Sequence, residues 1–194
     1  MGKLSVLKNF NYNILGILAS NASFAIGTSI VSRKVGPEKF GEISSFSALV
    51  AIFVPLILHG ASNYYTREYS KTEKDQEIQE FFNYTILLFC ALLLFFIPFS
   101  FFVNLYDISF IVQIVYIVLI LFSQAIDIQW LYRVEESTKT IAYSMISVSI
   151  LNIAFIILFK SILNADLYLI IMGLCKLLNS LLLYFMDCRK RKYI

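Results

Sequence analysis

Charge is scarce in this sequence: 15% of its 194 residues are Asp, Glu, Lys or Arg, against about 25% in a typical soluble domain. Three cysteines are too few for a disulfide scaffold. The single histidine, His59, has no second histidine or cysteine cluster beside it and makes a poor metal site. No Walker loop, Rossmann glycine fingerprint or nucleophile elbow occurs. Acidic residues gather in connecting segments rather than in a pocket, so no enzyme constellation emerges and neither a cofactor nor a metal is implied. What fills the chain is apolar: 59% of residues are hydrophobic and the mean hydropathy is +0.75. Disorder is excluded by that composition. A water-soluble core would struggle to hide so much apolar surface in so short a chain. A bilayer removes the problem, and at about 20 residues per span the length allows roughly six helices.

Six apolar stretches can be read: about Tyr12–Ile30, Ile43–His59, Phe82–Val103, Phe110–Leu131, Ile141–Phe159 and Leu167–Met186. Each suits a helix crossing about 30 Å of hydrocarbon, the second only just. Transmembrane strands would alternate polar and apolar residues, and Phe89–Ile97 shows no alternation. The N-terminus imitates a signal peptide, with Lys3 and Lys8 before a Ser20-Asn21-Ala22 site. Gly16 interrupts its apolar run and more helix follows, so it is a true span. Pro55 and Pro98 are expected to kink or end their helices. The segment Thr66–Glu80 mixes both charge signs and reads as a polar linker or a short surface helix. The third stretch, nearly without polar residues between Leu87 and Phe99, is expected to face lipid.

With six spans both termini share one side. That side receives Lys3, Lys8, Arg67, Lys71, Lys74, Arg133, Lys139 and the run Arg189-Lys190-Arg191-Lys192. The other side receives only Arg33, Lys34, Lys39 and Lys160. The positive-inside rule therefore places both termini in the cytoplasm. The basic run reads as a cytoplasmic anchor facing acidic lipid, and no soluble basic face for nucleic acid is visible. Tyr12, Tyr64, Tyr65, Tyr106 and Trp130 fall where interface aromatics are expected. The fold class is thus all-α, an integral membrane bundle forming a single domain over residues 1–194.

Polar residues inside spans carry the functional information, because lipid cannot satisfy them. In the first span Asn13, Gly16, Ser20, Ser23 and Gly27 form one narrow face. Its glycines suit close helix packing, while its polar members are open to a cavity role. In the fourth, Gln113, Tyr116, Gln124 and Asp127 lie within about 80° of one another on a helical wheel. They suit either interhelical hydrogen bonds or a hydrophilic lumen. In the sixth, Lys176 lies near the middle, with Asn179 and Ser180 on its face. A mid-membrane lysine costs about 2.5–3.5 kcal/mol on insertion scales and is a functional candidate by default. It could pair with Asp127 or face an internal cavity and attract an anion.

Three further segments are distinctive: Val35-Gly36-Pro37-Glu38-Lys39-Phe40-Gly41-Glu42, then Gly60 to Lys71 with its Arg67-Glu68 pair, and Trp130-Leu131-Tyr132-Arg133-Val134-Glu135. Together they resemble the bacterial polysaccharide biosynthesis proteins, the O-antigen and lipid-linked oligosaccharide flippases of the multidrug/oligosaccharidyl-lipid/polysaccharide exporter superfamily. The Gly36-Pro37-x-x-Phe40-Gly41 loop is the most specific element and suits a tight interhelical turn. The resemblance covers the whole chain but only the N-terminal lobe of a family whose members have two lobes around a central cavity. It implies multi-pass residence in the cytoplasmic membrane and transport rather than catalysis. The implied substrate is an undecaprenyl-pyrophosphate-linked oligosaccharide. Arg33, Lys34 and Lys176 would meet its pyrophosphate, and Gln113, Gln124 and Asn179 its sugars. A second lobe or a second copy would be a partner. The rival readings are a drug/cation exporter of the same superfamily, for which only Asp127 offers an acidic site, and a non-transporting fragment or small membrane interaction subunit.

Overall fold

The computed structural model describes residues 3–58, 61–68, 74–102, 108–135 and 137–191. His59 and Tyr106 lie outside them, as do the side chains of Glu68 and Arg189. Among the described residues the regular structure is wholly helical: α1 (Lys3–Val35), α2 (Pro37–Leu58), α3 (Ala61–Glu68), α4 (Lys74–Phe102), α5 (Phe110–Ala125), α6 (Gln129–Val134), α7 (Thr138–Leu158) and α8 (Ala165–Arg191).

Among the described residues five helical stretches are long and apolar enough to cross a membrane: Asn9–Val35, Ile78–Phe96, Phe110–Val134, Thr138–Leu158 and Ala165–Cys188. The second of the six expected stretches forms α2, whose opening turns hold Glu38, Lys39 and Glu42. Its apolar end, the side chains of residues 56–58, lies outside the described residues, and its expected role as a span with it. Neither proline ends its helix: α2 runs through Pro55 and α4 through Pro98. The charged segment after α3 is not a separate element either, since residues from Lys74 onward are the first turns of α4.

The turn between α1 and α2 is built by two residues. Gly36 takes φ +89°, a left-handed conformation that costs a residue with a Cβ. Its N–H donates to the Ser32 carbonyl at 3.1 Å, ending α1. Pro37 then begins α2, where its missing N–H costs nothing.

α1 packs along α7, α7 on α8, α8 on α5, and α5 on α4 and α2. The glycines decide the first of these contacts. A Cβ on Gly16 would sit 3.1 Å from Ala142 Cα, and one on Gly27 would sit 2.8 Å from Ile156 Cδ1. Gly173 plays the same part between α8 and Leu119 of α5. A large apolar core joins Val31, Phe46, Val50, Phe96, Leu121, Ile156 and Leu169. Phe53 of α2 meets Phe96 edge-on at 4.4 Å. The expectation that the third span faces lipid thus holds for one face only: Leu87 and Leu94 are exposed, whereas Phe96 is buried.

A second core gathers α3, α4, α6 and α8 around Tyr65, Phe81, Trp130, Tyr132 and Leu183. Phe81 lies 5.5 Å from the Tyr65 ring and 5.2 Å from that of Trp130. Tyr65 and Trp130 are therefore interior residues, not interface aromatics, because α3 folds onto α6 and covers them. Tyr64, one residue earlier, remains exposed.

Candidate functional site

A cavity of about 450 Å³ lies among α1, α7 and α8, with Gln129 of α6 at its edge. α1 contributes Ser20, Asn21, Ser23 and Phe24, and α7 contributes Met145, Val148, Ser149 and Asn152. α8 contributes Met172, Cys175, Lys176 and Asn179. These α8 positions recur at steps of three and four, so one helical face supplies them. Ser20, Asn21, Phe24 and Lys176 line the cavity yet stay exposed, which leaves it open on that side.

The wall is polar and only partly satisfied. Ser23 is buried and its hydroxyl donates to the Ser149 carbonyl at 2.9 Å, tying α1 to α7. Asn152 Nδ2 donates to Ser23 Oγ at 3.4 Å. Asn152 Oδ1 and Asn179 Oδ1 find no partner among the described residues. A buried acceptor left so costs about 1–3 kcal/mol; water or a ligand hydroxyl in the cavity would recover it. Lys176 makes neither a hydrogen bond nor an ion pair with any described residue.

Asp127 does not pair with Lys176. Lys176 and Arg133 act on its charge without touching it, and Asp127 Oδ1 instead accepts the Gln129 N–H at 2.9 Å. The reason is a break in the fourth span. α5 stops at Ala125 and α6 starts at Gln129. The Asp127 N–H turns back to the Gln124 carbonyl at 3.2 Å. The Ala125 carbonyl, which a continuous helix would bond to Gln129 N–H, lies 2.9 Å from Thr85 Oγ1 of α4.

The other expected site residues are placed elsewhere. Gln113 is 2% exposed, and its Nε2 donates to the Ile108 carbonyl at 3.0 Å. Gln124 is also buried and does not line the cavity. The stripe shared by Gln113 and Tyr116 faces the packed core of α2, α5 and α8, where Tyr116 meets Phe46 at 5.8 Å. Arg33 and Lys34 are exposed in the last turn of α1, where cations suit the negative end of a helix dipole. The α1 stripe divides: Gly16, Ser23 and Gly27 are buried, while Asn13 and Ser20 are exposed. Of the motif residues, Gly36 and Pro37 make the turn, and Phe40 packs on the large core with its N–H on the Gly36 carbonyl. Gly41 has open space where a Cβ would be. Arg67 is exposed in the last turn of α3.

Of the residues expected to meet substrate, Lys176 and Asn179 line this cavity, joined by Ser20 and Ser23 of the α1 stripe. Asn152 and Gln129 were not anticipated. Asn152 carried a readable signal, being an amide inside an apolar span, where lipid satisfies nothing. Gln129 carried none, because its direction depends on the helix break.

A family model described as polysaccharide biosynthesis protein matches residues 6–194, nearly the whole chain. No curated protein and no solved structure matches.

Proposed function

The chain belongs to the polysaccharide biosynthesis protein family, and from that premise we propose that it is a flippase, moving lipid-linked oligosaccharide across the cytoplasmic membrane for cell-surface polysaccharide synthesis. The observation that carries the reading is Lys176: an ammonium midway along an apolar span, facing a cavity, with no counter-ion among the described residues. Such a group attracts an anion, and a pyrophosphate-linked substrate supplies one. Asn152, Asn179, Ser20 and Ser149 line the same cavity, and amides and hydroxyls are the donors and acceptors that a sugar needs. A drug/cation exporter would need an acid in the cavity. Among the described residues Lys176 is the only ionisable lining group apart from the Cys175 thiol, and the Asp127 carboxylate is engaged by a backbone N–H. On its exposed side the cavity would be closed by a second lobe or a second copy, as alternating access requires.

Complementation tests the proposal. A strain lacking its own oligosaccharide flippase should regain surface polysaccharide when it expresses this chain, alone or with a matching second lobe. Membrane-inserted protein that restores none under either condition refutes it.

A further inference from the structure

The break in the fourth span changes which way Gln129 points. The exposed stripe of α5 carries Ile111, Val115 and Phe122, with Ile111 71% exposed. Gln129 follows Ile111 by roughly five full turns at 3.6 residues per turn. An unbroken helix would therefore set Gln129 on that same outward stripe, away from Gln113 and Gln124. Instead it lines the cavity, with Arg133 Nη2 donating to its Oε1 at 3.4 Å.

Two side chains occupy the hydrogen bond that the break removes. Asp127 Oδ1 takes the freed N–H of Gln129, and Thr85 Oγ1 approaches the freed carbonyl of Ala125. Thr85 is fully buried. Its hydroxyl is also 2.9 Å from the Phe81 carbonyl of its own helix. That carbonyl already accepts an intrahelical bond, whereas the Ala125 carbonyl has lost its helical donor, so the proton does more at Ala125. Side chains entering the i→i−4 ladder are a recognised cause of helix breaks.

We propose that Thr85 and Asp127 are positioning residues that hold the fourth span broken at residues 126–128 and so turn Gln129 into the cavity. They act through Gln129 and need not touch a substrate. The importance of this for transport rests on the cavity reading above; the positioning itself does not.

The test uses the full chain in membranes, with Cys90, Cys175 and Cys188 replaced by alanine and Gln129→Cys added. A charged, membrane-impermeant methanethiosulfonate should label position 129. Ser20→Cys, elsewhere on the cavity wall, reports that the cavity is intact, and Ile111→Cys reports the lipid-facing stripe and should not react. Adding Thr85→Val with Asp127→Ala should slow labelling at 129 several-fold and leave position 20 unchanged. Thr85→Ser should restore the rate. Unchanged labelling at 129 with position 20 intact overturns the proposal. If the double variant loses position 20 as well, Thr85→Val alone is read by the same two outcomes. Asp127→Asn keeps an oxygen for the Gln129 N–H and should label normally; a several-fold loss there also overturns the proposal. No transport assay enters, so this inference and the flippase reading can fail separately.

Discussion

Replacing Lys176 by leucine should make the protein more stable and less active. Lys176 lies at the middle of the span Ala165–Cys188, where a lysine costs about 2.5–3.5 kcal/mol on insertion scales. That figure is an upper bound, because the cavity admits water to the ammonium. No hydrogen bond or ion pair to a described residue is lost on removal. Asp127 loses one of the two cations acting on its charge and keeps Arg133, a smaller offset. The net change should be a stabilisation of about 1–3 kcal/mol, read as a rise of a few degrees per kcal/mol in thermal unfolding of the detergent-solubilised protein. Restoration of surface polysaccharide should fall together with the charge, and Lys176→Arg should retain part of it. Two results would count against this role for Lys176. Lys176→Leu unfolding more easily than the parent would mean that the ammonium holds the fold together. Undiminished export would mean that the ammonium does not meet the substrate.

Three further outcomes are expected. Gly16→Ala should destabilise by about 1–3 kcal/mol, because the new methyl meets the α7 backbone and the helices must separate; Gly27→Ala, meeting only the flexible tip of Ile156, should cost less, and thermal unfolding ranks the two. Gly36→Ala should cost about 1 kcal/mol through its left-handed φ, whereas Gly41→Ala, in open space on α2, should be neutral or stabilising by about 0.5–1 kcal/mol in the same assay. Asn152→Leu and Asn179→Leu each remove an unpartnered acceptor and should leave stability within about 1–2 kcal/mol of the parent, yet lower complementation; if both variants export normally, the cavity is not the sugar site.

The placing of the helices was legible in the amino-acid order alone. Long apolar runs leave the backbone no partner in lipid but itself, so the described part of each run is helical, although α1 and α4 begin nine and eight residues before the expected bounds and the fourth run divides into α5 and α6. That order also determined the Gly36-Pro37 turn, since a left-handed φ and a missing N–H are properties of those two residues alone. Lys176 was legible for a similar reason: an ammonium amid apolar neighbours stands out wherever its helix packs.

Tertiary structure decided which polar groups meet. Periodicity places Gln113, Gln124 and Asp127 on one face but does not say what that face touches. Packing put Gln113 in a closed core and gave Asp127 to a backbone N–H. It brought Asn152 and Asn179, from different helices, into one cavity. It also enclosed Tyr65 and Trp130, which their positions along the chain assigned to the membrane surface. The direction of Gln129 is the clearest case. Local sequence continues the fourth helix through it. The break appears only when a hydroxyl from α4, some forty residues away in sequence, reaches the Ala125 carbonyl. Local pattern cannot encode that contact, because it depends on which two helices lie side by side.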